Sequence, residues 1–220
     1  MSTAVQHILL TGFEPFGGQR LNPSWEVART LDGAAIGAAN VHALQLPCAF
    51  ESCLQVLGDA LQTLRPRVVI ALGQAEGRAD VSIERVAINV QDARIPDNTG
   101  AQPVDTPVVE GAPAAYFSTL PIKRLVQALR TAGLPASVSQ TAGTFVCNQV
   151  FFGLQHALDG QGVRSGFIHL PLLPEQAAAW PGATPPSLSL PLQVAAIRCV
   201  LQTLLEHGGA DVRLGAGALH

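Results

Sequence analysis

Hydrophobic residues follow two different spacings along the chain. Between residues 49 and 66 they recur every three or four positions, which predicts an amphipathic helix ended by a proline. The apolar positions of this helix are Phe50, Leu54, Leu57, Leu61 and Leu64. Residues 68–72 are instead a continuous apolar run, typical of a strand covered on both faces. We therefore expect a helix followed by a strand in the centre of a sheet.

Strands and helices alternate along most of the chain. Strands are predicted near residues 7–10, 41–46, 68–72, 136–139 and 167–170. Helices are predicted over residues 22–33, 49–66, 121–132 and 145–158, with a last helix that ends near residue 207. Strands joined by helices pair in parallel through right-handed crossovers. The pattern predicts an α/β fold, a three-layer α/β/α sandwich with a mostly parallel twisted central sheet.

Two segments depart from this alternation. Residues 81–90 alternate apolar and polar side chains, which predicts a half-exposed strand. Residues 94–111 contain three prolines and two glycines without periodicity, and so long a loop is usually functional or part of an interface. The length suits a single domain, which we place at residues 1–209, followed by a flexible C-terminal tail at residues 210–220.

Composition excludes several classes of protein. Thirteen Lys and Arg against sixteen Asp and Glu give a net charge of −3, so the chain lacks the basic field that a nucleic-acid binder needs. Its apolar runs are far shorter than the ~20 residues of a membrane span, and its start lacks the features of a signal peptide. The four cysteines show neither CxxC spacing nor a disulfide-scaffold pattern. We expect a cytoplasmic protein with reduced thiols.

Cys147 is the first candidate for chemistry. Sites in such sheets form at the carboxyl ends of the strands, and Cys147 lies near the first turn of a helix that follows a glycine-containing turn. A helix N-terminus favours negative charge, which lowers the pKa of a thiol, and its N–H groups can also receive an oxyanion. The alternative is that Cys147 is a small buried hydrophobic residue, as most free cysteines are.

A nucleophilic cysteine needs a base, and His169 is the best placed of six histidines. It ends a predicted inner strand, so its imidazole would face the same sheet edge as Cys147. Glu84 and Asp80 are the carboxylates available to orient that imidazole, and we prefer Glu84 because it lies in a predicted strand. The alternatives are a core histidine, and a surface ion pair of Glu84 with Arg85 or Arg78.

The loop at residues 11–18 follows a strand and precedes a helix, as phosphate-binding loops do. It has neither the GxGxxG order nor a GK[ST] ending, and Phe13 and Phe16 suit the wall of an apolar pocket better. No His-Glu-x-x-His motif occurs, and no cysteine lies at ligand spacing from a histidine. We therefore predict neither a phosphate-binding loop nor a metal site.

Seven segments along the chain resemble the successive motifs of one enzyme family. They are TGFEPFGG at 11–18, NPSWE at 22–26, GQAEGR at 73–78, ERVAIN at 84–89, ARIPDN at 93–98, GTFVCN at 143–148 and FIHLP at 167–171. This order resembles the pyroglutamyl peptidase I family of cysteine peptidases. Glu76 is a departure, since the family commonly has a second glycine there.

The resemblance implies a cysteine omega peptidase that needs no metal or cofactor and removes an N-terminal pyroglutamyl residue from peptides. It assigns the catalytic triad to Glu84, Cys147 and His169, and an oxyanion or positioning role to Arg94. For the substrate pocket it suggests Phe13, Phe16, Gln74, Phe145 and Val146. It also implies a homo-oligomer, either a dimer or a tetramer.

Two other functions stay open at this stage. One is a non-catalytic protein that binds pyroglutamyl-capped peptides, and the other is a different cysteine-dependent amidohydrolase that acts on small amides. Fast alkylation of Cys147 that pyroglutamate prevents would favour an enzyme over a binder. Hydrolysis of glutamine or simple amides as readily as pyroglutamyl ones would favour the amidohydrolase.

Overall fold

A computed structural model of the chain describes residues 6–217. The strands are β1 (Gln6–Phe13), β2 (Ala35–Ile36), β3 (Ala39–Leu46), β4 (Val68–Gln74), β5 (Val81–Glu84), β6 (Val86–Ile88), β7 (Ala115–Phe117), β8 (Ala136–Ser139) and β9 (Arg164–Leu170). The helices are α1 (Pro23–Leu31), α2 (Cys53–Leu64), α3 (Ile122–Thr131), α4 (Val146–Leu158), α5 (Pro174–Ala178) and α6 (Leu190–Glu206).

The main sheet has seven strands in the order β2-β3-β1-β4-β9-β5-β8. Its central strands β3, β1, β4 and β9 are all parallel. The residues of β4 alternate between the two faces: Val68, Ile70 and Leu72 pack towards one layer of helices, and Val69 and Ala71 towards the other. This explains why β4 is apolar throughout, and the predicted α/β sandwich with a mostly parallel sheet is confirmed.

The two helical layers cover opposite faces of the sheet. Helices α1, α3 and α6 pack together on one face, and α2 and α4 pack together on the other. Helix α1 begins where the sequence predicts, because the Asn22 side chain accepts a hydrogen bond from the Ser24 amide at 3.1 Å and Pro23 occupies the first turn. The layers leave the carboxyl ends of β1, β4 and β9 at one edge.

The direction of two strands differs from the sequence-based expectation. Strand β5 runs antiparallel to β9, with Ser82 opposite His169, and β8 runs parallel to β5. The end of β8 therefore does not lie at the carboxyl edge of the central strands, although that edge rule selected the loop before Cys147. Residues 140–145 return the chain to the edge before α4 begins.

Other differences concern short elements. The segment 81–90 is two strands rather than one half-exposed strand: β5 is fully buried in the main sheet, whereas β6 pairs with β7 in a separate two-stranded sheet. Strand β7 and helix α5 have three and five residues and were not predicted. Both are too short to produce a periodic apolar pattern.

The domain boundary and the flexible tail stay predictions. The Asp211 carboxylate accepts hydrogen bonds from the amides of Lys123 and Arg124 in the first turn of α3, at 3.0 and 2.9 Å. Residues 218–220 of the tail lie outside the described residues.

No helix within residues 6–217 is long and apolar enough to cross a membrane.

Candidate active site

Cys147 is the second residue of α4, and its sulfur lies directly above a glycine of the central strand. A Cβ placed on Gly73 would be 2.9 Å from Cys147 Sγ and 2.7 Å from the ring of Phe167. The turn into the helix uses Gly143 at a φ of +77°, which glycine adopts readily. Phe145 is the N-cap residue and its side chain makes no capping hydrogen bond, so the N–H groups of the first turn are not capped by a side chain.

His169 lies beside the sulfur in the register of the sheet. In the parallel pair of β4 and β9 it is the partner of Gly73. Paired residues share one face of a sheet, so the His169 side chain is on the face of Gly73 that the Cys147 sulfur approaches. The imidazole is 4% exposed and its ring centroid is 4.9 Å from that of Phe167. Within residues 6–217, no hydrogen bond joins the thiol to the imidazole; such catalytic contacts often tighten only when substrate binds.

Glu84 is the carboxylate that holds the imidazole. Its Oε1 accepts a hydrogen bond from His169 Nδ1 at 2.8 Å, and the side chain is fully buried. An ionised carboxylate only accepts hydrogen bonds, so Nδ1 carries the hydrogen and Nε2 keeps its lone pair. Asp80, the alternative from the sequence, instead accepts from the hydroxyls of Ser82 and Ser137 at 3.0 and 3.1 Å.

The electrostatics favour neutral groups before substrate binds. Burial, and after it the negative charge of Glu84, raise the pKa of the Cys147 thiol to about 12, with Arg78 acting in the opposite direction. This direction is opposite to the thiolate expected from the helix N-terminus. Burial also lowers the pKa of His169, although Glu84 acts against this. A neutral thiol beside a neutral imidazole can react once the imidazole accepts the proton.

Aromatic side chains cluster around the start of α4. Phe145 packs against Phe16 with ring centroids 6.1 Å apart and edge-to-face against Phe50 at 5.3 Å. Phe13 is 2% exposed and packs deeper, 6.4 Å from the ring of Phe167, and Val146 is fully buried in the core. Phe50 was missed as a site residue, because its helical spacing had already assigned it to the core.

Gln74 is held by a glutamine from the short helix α5. Its Oε1 accepts a hydrogen bond from Gln176 Nε2 at 2.9 Å. The Gln176 Oε1 in turn accepts from the Leu173 amide at 2.9 Å, and the side chain is 5% exposed. With its oxygen engaged, the Gln74 amide presents its N–H₂ group as a donor. Nothing in the sequence distinguished Gln176, since it lies in an unpredicted helix.

Arg94 is exposed and lies near the turn that leads to the nucleophile. The Asp92 amide donates to the Thr144 carbonyl at 3.0 Å, and the Thr144 hydroxyl donates to the Asp92 carbonyl at 2.7 Å. Arg94 follows two residues later and forms no hydrogen bond or ion pair with another residue of the range 6–217. Its guanidinium is therefore available, and its role stays a prediction.

Side-chain amides attach the segment after β5 to α4. Asn148, the residue after the nucleophile, accepts from the Ile88 amide at 3.0 Å and donates to the carbonyls of Ile88 and Val90 at 2.8 and 3.0 Å. Asn89 accepts from the Val109 amide at 2.9 Å. These contacts fix the long loop against the helix that carries Cys147.

Asp97 anchors the same loop at its other end. Its carboxylate accepts hydrogen bonds from the amides of Phe50, Thr99 and Ala101 at 2.7 to 2.9 Å.

Among the described residues, no group of three or more His, Cys, Asp or Glu side chains is arranged to hold a metal ion.

Known proteins similar to this chain carry the names of one peptidase family. The family model described as pyroglutamyl peptidase matches residues 6–207. The pyrrolidone-carboxylate peptidase of Klebsiella pneumoniae (strain 342) is 59% identical over 217 residues, 97% of this chain and 99% of that protein. That of Cupriavidus necator is 57% identical over 216 residues, again 97% of this chain and 99% of that protein.

Solved structures of similar proteins also superpose closely on this chain. Pyroglutamyl peptidase I from Bacillus amyloliquefaciens superposes with a TM-score of 0.91 at 45% identity, covering 96% of this chain and 99% of that one. Pyrrolidone carboxyl peptidase from Thermococcus litoralis gives 0.91 at 37% identity with the same coverage. The resemblance seen in the sequence motifs is thus confirmed over nearly the whole length, and the chain belongs to the pyroglutamyl peptidase family of cysteine peptidases.

Proposed function

We propose that this chain hydrolyses the amide bond after an N-terminal pyroglutamyl residue of peptides, with Cys147 as nucleophile, His169 as base and Glu84 as the carboxylate that orients it. The observation that carries the proposal is the buried Glu84–His169 hydrogen bond next to a helix-start thiol above Gly73. Family membership supports the substrate. The triad order in the chain, Glu then Cys then His, also agrees with the resemblance.

The reaction begins with proton transfer from the thiol. His169 Nε2 takes the Cys147 proton as the sulfur attacks the carbonyl carbon, and Glu84 stabilises the imidazolium that forms. When the tetrahedral intermediate collapses, the C–N bond breaks and the imidazolium gives its proton to the leaving amine. Water, deprotonated by His169, then cleaves the pyroglutamyl thioester and releases pyroglutamate with the free thiol.

The oxyanion of the intermediate needs donors close to the sulfur. The N–H groups at the start of α4 lack a side-chain cap, and they adjoin Cys147. We assign Arg94 a further role in stabilising the oxyanion or positioning the substrate, which its exposed guanidinium on the neighbouring loop supports. Removing a single oxyanion donor typically costs ~10²- to 10³-fold in kcat.

The pyroglutamyl ring is a flat, neutral lactam, so its pocket should be apolar with a few polar groups. Phe16 and Phe145 supply an aromatic wall, with Phe13 and Val146 behind it. The Gln74 amide donor is suited to the lactam carbonyl. A proline ring lacks that carbonyl and would leave a polar group unpaired, which can reduce kcat/KM by ~10⁴- to 10⁵-fold.

We further propose a cytoplasmic homo-oligomer, a dimer or a tetramer, that acts on peptides and neither binds nucleic acid nor associates with membranes. The four cysteines are all free, which is consistent with a reducing compartment. Phe117 on β7 is 70% exposed, and so large an exposed aromatic residue suits an interface between copies. Light scattering of the purified protein will test the oligomeric state.

The function is tested with a chromogenic pyroglutamyl amide. Cys147→Ala should abolish turnover while calorimetry still detects pyroglutamate binding, and the control Cys199→Ala, at a free cysteine of α6, should retain activity. Turnover unchanged in Cys147→Ala would refute the mechanism. Pyroglutamate binding without turnover by the wild type would indicate a binder, and equal hydrolysis of glutamine amides would indicate a general amidohydrolase.

A chelator provides a further arm of this test. The proposed chemistry uses the thiol, the imidazole and the carboxylate, so activity should persist in a chelator and be lost after alkylation by iodoacetamide. Pyroglutamate should slow that alkylation, because it occupies the space above the sulfur. Loss of activity in the chelator alone would contradict the metal-free mechanism.

A further inference from the structure

Arg78 lies in the loop between β4 and β5 and contacts two parts of the site. Its Nη1 donates to Glu84 Oε1 at 2.7 Å, and its Nη2 donates to the Thr141 carbonyl at 3.2 Å. The side chain is 27% exposed, whereas that of Glu84 is fully buried. The sequence suggested Arg78 only as a surface ion-pair partner, but the pair is formed at a buried carboxylate.

Both partners of Glu84 use the same oxygen. Oε1 accepts from Arg78 and from His169, while Oε2 is buried without a hydrogen-bond partner among the described residues. Without the guanidinium, His169 would be the carboxylate's sole partner, and the carboxylate could rotate to offer either oxygen. It would also be a buried charge without a neighbouring cation, which is energetically costly.

The second contact of Arg78 connects this carboxylate to the nucleophile loop. The Thr141 carbonyl that accepts from Arg78 also accepts from the Ser139 hydroxyl at 3.0 Å, and the Thr141 hydroxyl accepts from the Gly143 amide at 3.0 Å. Residues 139–143 lead directly into α4 and Cys147. A planar guanidinium can hold both acceptors at once, which a lysine ammonium does less well.

We propose that Arg78 is a positioning residue of the triad, which fixes the Glu84 carboxylate against His169 and holds the turn before Cys147 through its two contacts. This inference rests on the proposed function. Arg78 does not contact the reacting atoms; it acts through the base and through the helix start. Its loss should therefore lower kcat more than it changes KM, because substrate contacts are made by other residues.

The charge of Arg78 also acts on both reacting groups. It lowers the pKa of His169 and of Cys147, in each case against the Glu84 carboxylate. The charged or titratable groups around the imidazole are Glu84 from β5, Arg78 from the β4–β5 loop and Cys147 from α4. Removing the positive charge should therefore raise the pKa of His169 and move the acid limb of kcat/KM to higher pH.

Three variants test this positioning role. Arg78→Gln removes both the charge and the planar guanidinium that donates to two acceptors. Arg78→Lys keeps the charge but loses this planar geometry, and Arg85→Gln is the matched control. Arg85 is a neighbouring, half-buried arginine whose Nε donates to Gln140 Oε1 at 2.9 Å, and its side chain makes no hydrogen bond to Glu84 within residues 6–217. Circular dichroism and urea denaturation will establish that each variant is folded under assay conditions.

Kinetics and thiol alkylation are then measured against pH. We expect kcat of Arg78→Gln to fall about 10²-fold, as for a misplacement of ~1 Å, with its acid limb at higher pH. Arg78→Lys should restore the acid limb and part of kcat, and Arg85→Gln should match the wild type. Iodoacetamide should react more slowly with Cys147 in Arg78→Gln than in wild type at the same pH, because its thiol pKa is higher.

The outcomes separate this inference from the proposed function. If the wild type hydrolyses the pyroglutamyl amide but Arg78→Gln has the kcat and acid limb of Arg85→Gln, Arg78 has no positioning role. If the wild type does not hydrolyse it, the proposed function fails, and the alkylation rates still decide whether Arg78 acts on Cys147. If Arg78→Gln does not fold, Arg78→Lys decides. A wild-type kcat in that variant would show that the planar guanidinium is not needed to position the triad, and would overturn the inference.

Discussion

A methyl group added at Gly73 would test the packing of the nucleophile against the sheet. In Gly73→Ala the new Cβ would lie 2.7 and 2.8 Å from two ring atoms of Phe167 and 2.9 Å from Cys147 Sγ. Phe167 of β9 is fully buried, and its ring is held between those of Phe13 and Phe151, with centroids 6.4 and 5.9 Å away. The sulfur at the helix start is the more easily displaced neighbour, so the substitution should move the nucleophile.

The size of the effect follows from these distances. Carbon atoms in contact are ordinarily ~3.5 to 4.0 Å apart, so the ring contact at 2.7 Å is too short by about 0.8 Å. Overpacking of this kind costs roughly 1–3 kcal/mol of unfolding free energy. If the sulfur moves by a comparable amount, kcat/KM should fall by about 10²-fold, the typical effect of a ~1 Å misplacement.

Urea denaturation and the pyroglutamyl amide assay measure the two effects separately. Gly166→Ala is the matched control, because its Cβ would meet Leu120 at 2.5 Å, on the same strand as His169 but on the other face of the sheet. Gly166→Ala should lose stability but keep its kcat/KM and its rate of Cys147 alkylation. Wild-type kcat/KM and alkylation in Gly73→Ala would refute the close approach of sulfur and strand.

Three further predictions concern acid, the long loop and the substrate pocket. Burial lowers the pKa of His169, so the acid limb of kcat/KM should have its midpoint below the ordinary histidine value of ~6.5; a midpoint above it would contradict the buried neutral imidazole. Burial would raise the pKa of Asp97, but its hydrogen bonds outweigh this and lower it, so Asp97→Asn should cost ~1–3 kcal/mol of unfolding free energy at pH 7. That difference should shrink as the pH falls below ~3.9 through the native pKa, and an undiminished difference at pH 2 would argue against an ionised anchor. Gln176→Ala should raise KM by ~2- to 10-fold with a smaller change in kcat, since Gln74 loses the contact that orients it, and an unchanged KM would contradict this.

The sequence predicted the elements that are long or strongly patterned. Strand β4 has an uninterrupted apolar run, and α1 has an N-cap asparagine followed by proline, so local chemistry was sufficient for both. The direction of β5 and β8 was not predictable in this way, because it depends on which strands pair across the sheet. Strand β6 pairs with β7, and its Ile88 lies opposite Ala115, which is 27 residues further along the chain. No local pattern connects two strands so far apart.

The residues of the candidate site also differ in whether a local pattern or a contact across the fold reveals them. Cys147, His169 and Glu84 could be predicted as candidates because each ends or follows a recognisable element and because their chemistry is complementary. Arg78 and Gln176 were missed as site residues, since their roles depend on side chains that reach across the fold. A single arginine or glutamine in a loop carries no sequence signal of the contact it makes.

The amide contacts of Asn148 and Asn89 have a consequence for how acid inactivates such an enzyme. Asn148 attaches the segment after β5 to the nucleophile helix, and Asn89 attaches the end of the long loop to that segment; neither side chain titrates, so protonation does not break these contacts. Hydrogen bonds to the Asp97 carboxylate, the charged anchor of that segment, lower its pKa, so this anchor keeps its charge further into acid than an ordinary aspartate. Acid can therefore protonate the His169 imidazole without breaking the amide contacts that hold the nucleophile helix in place.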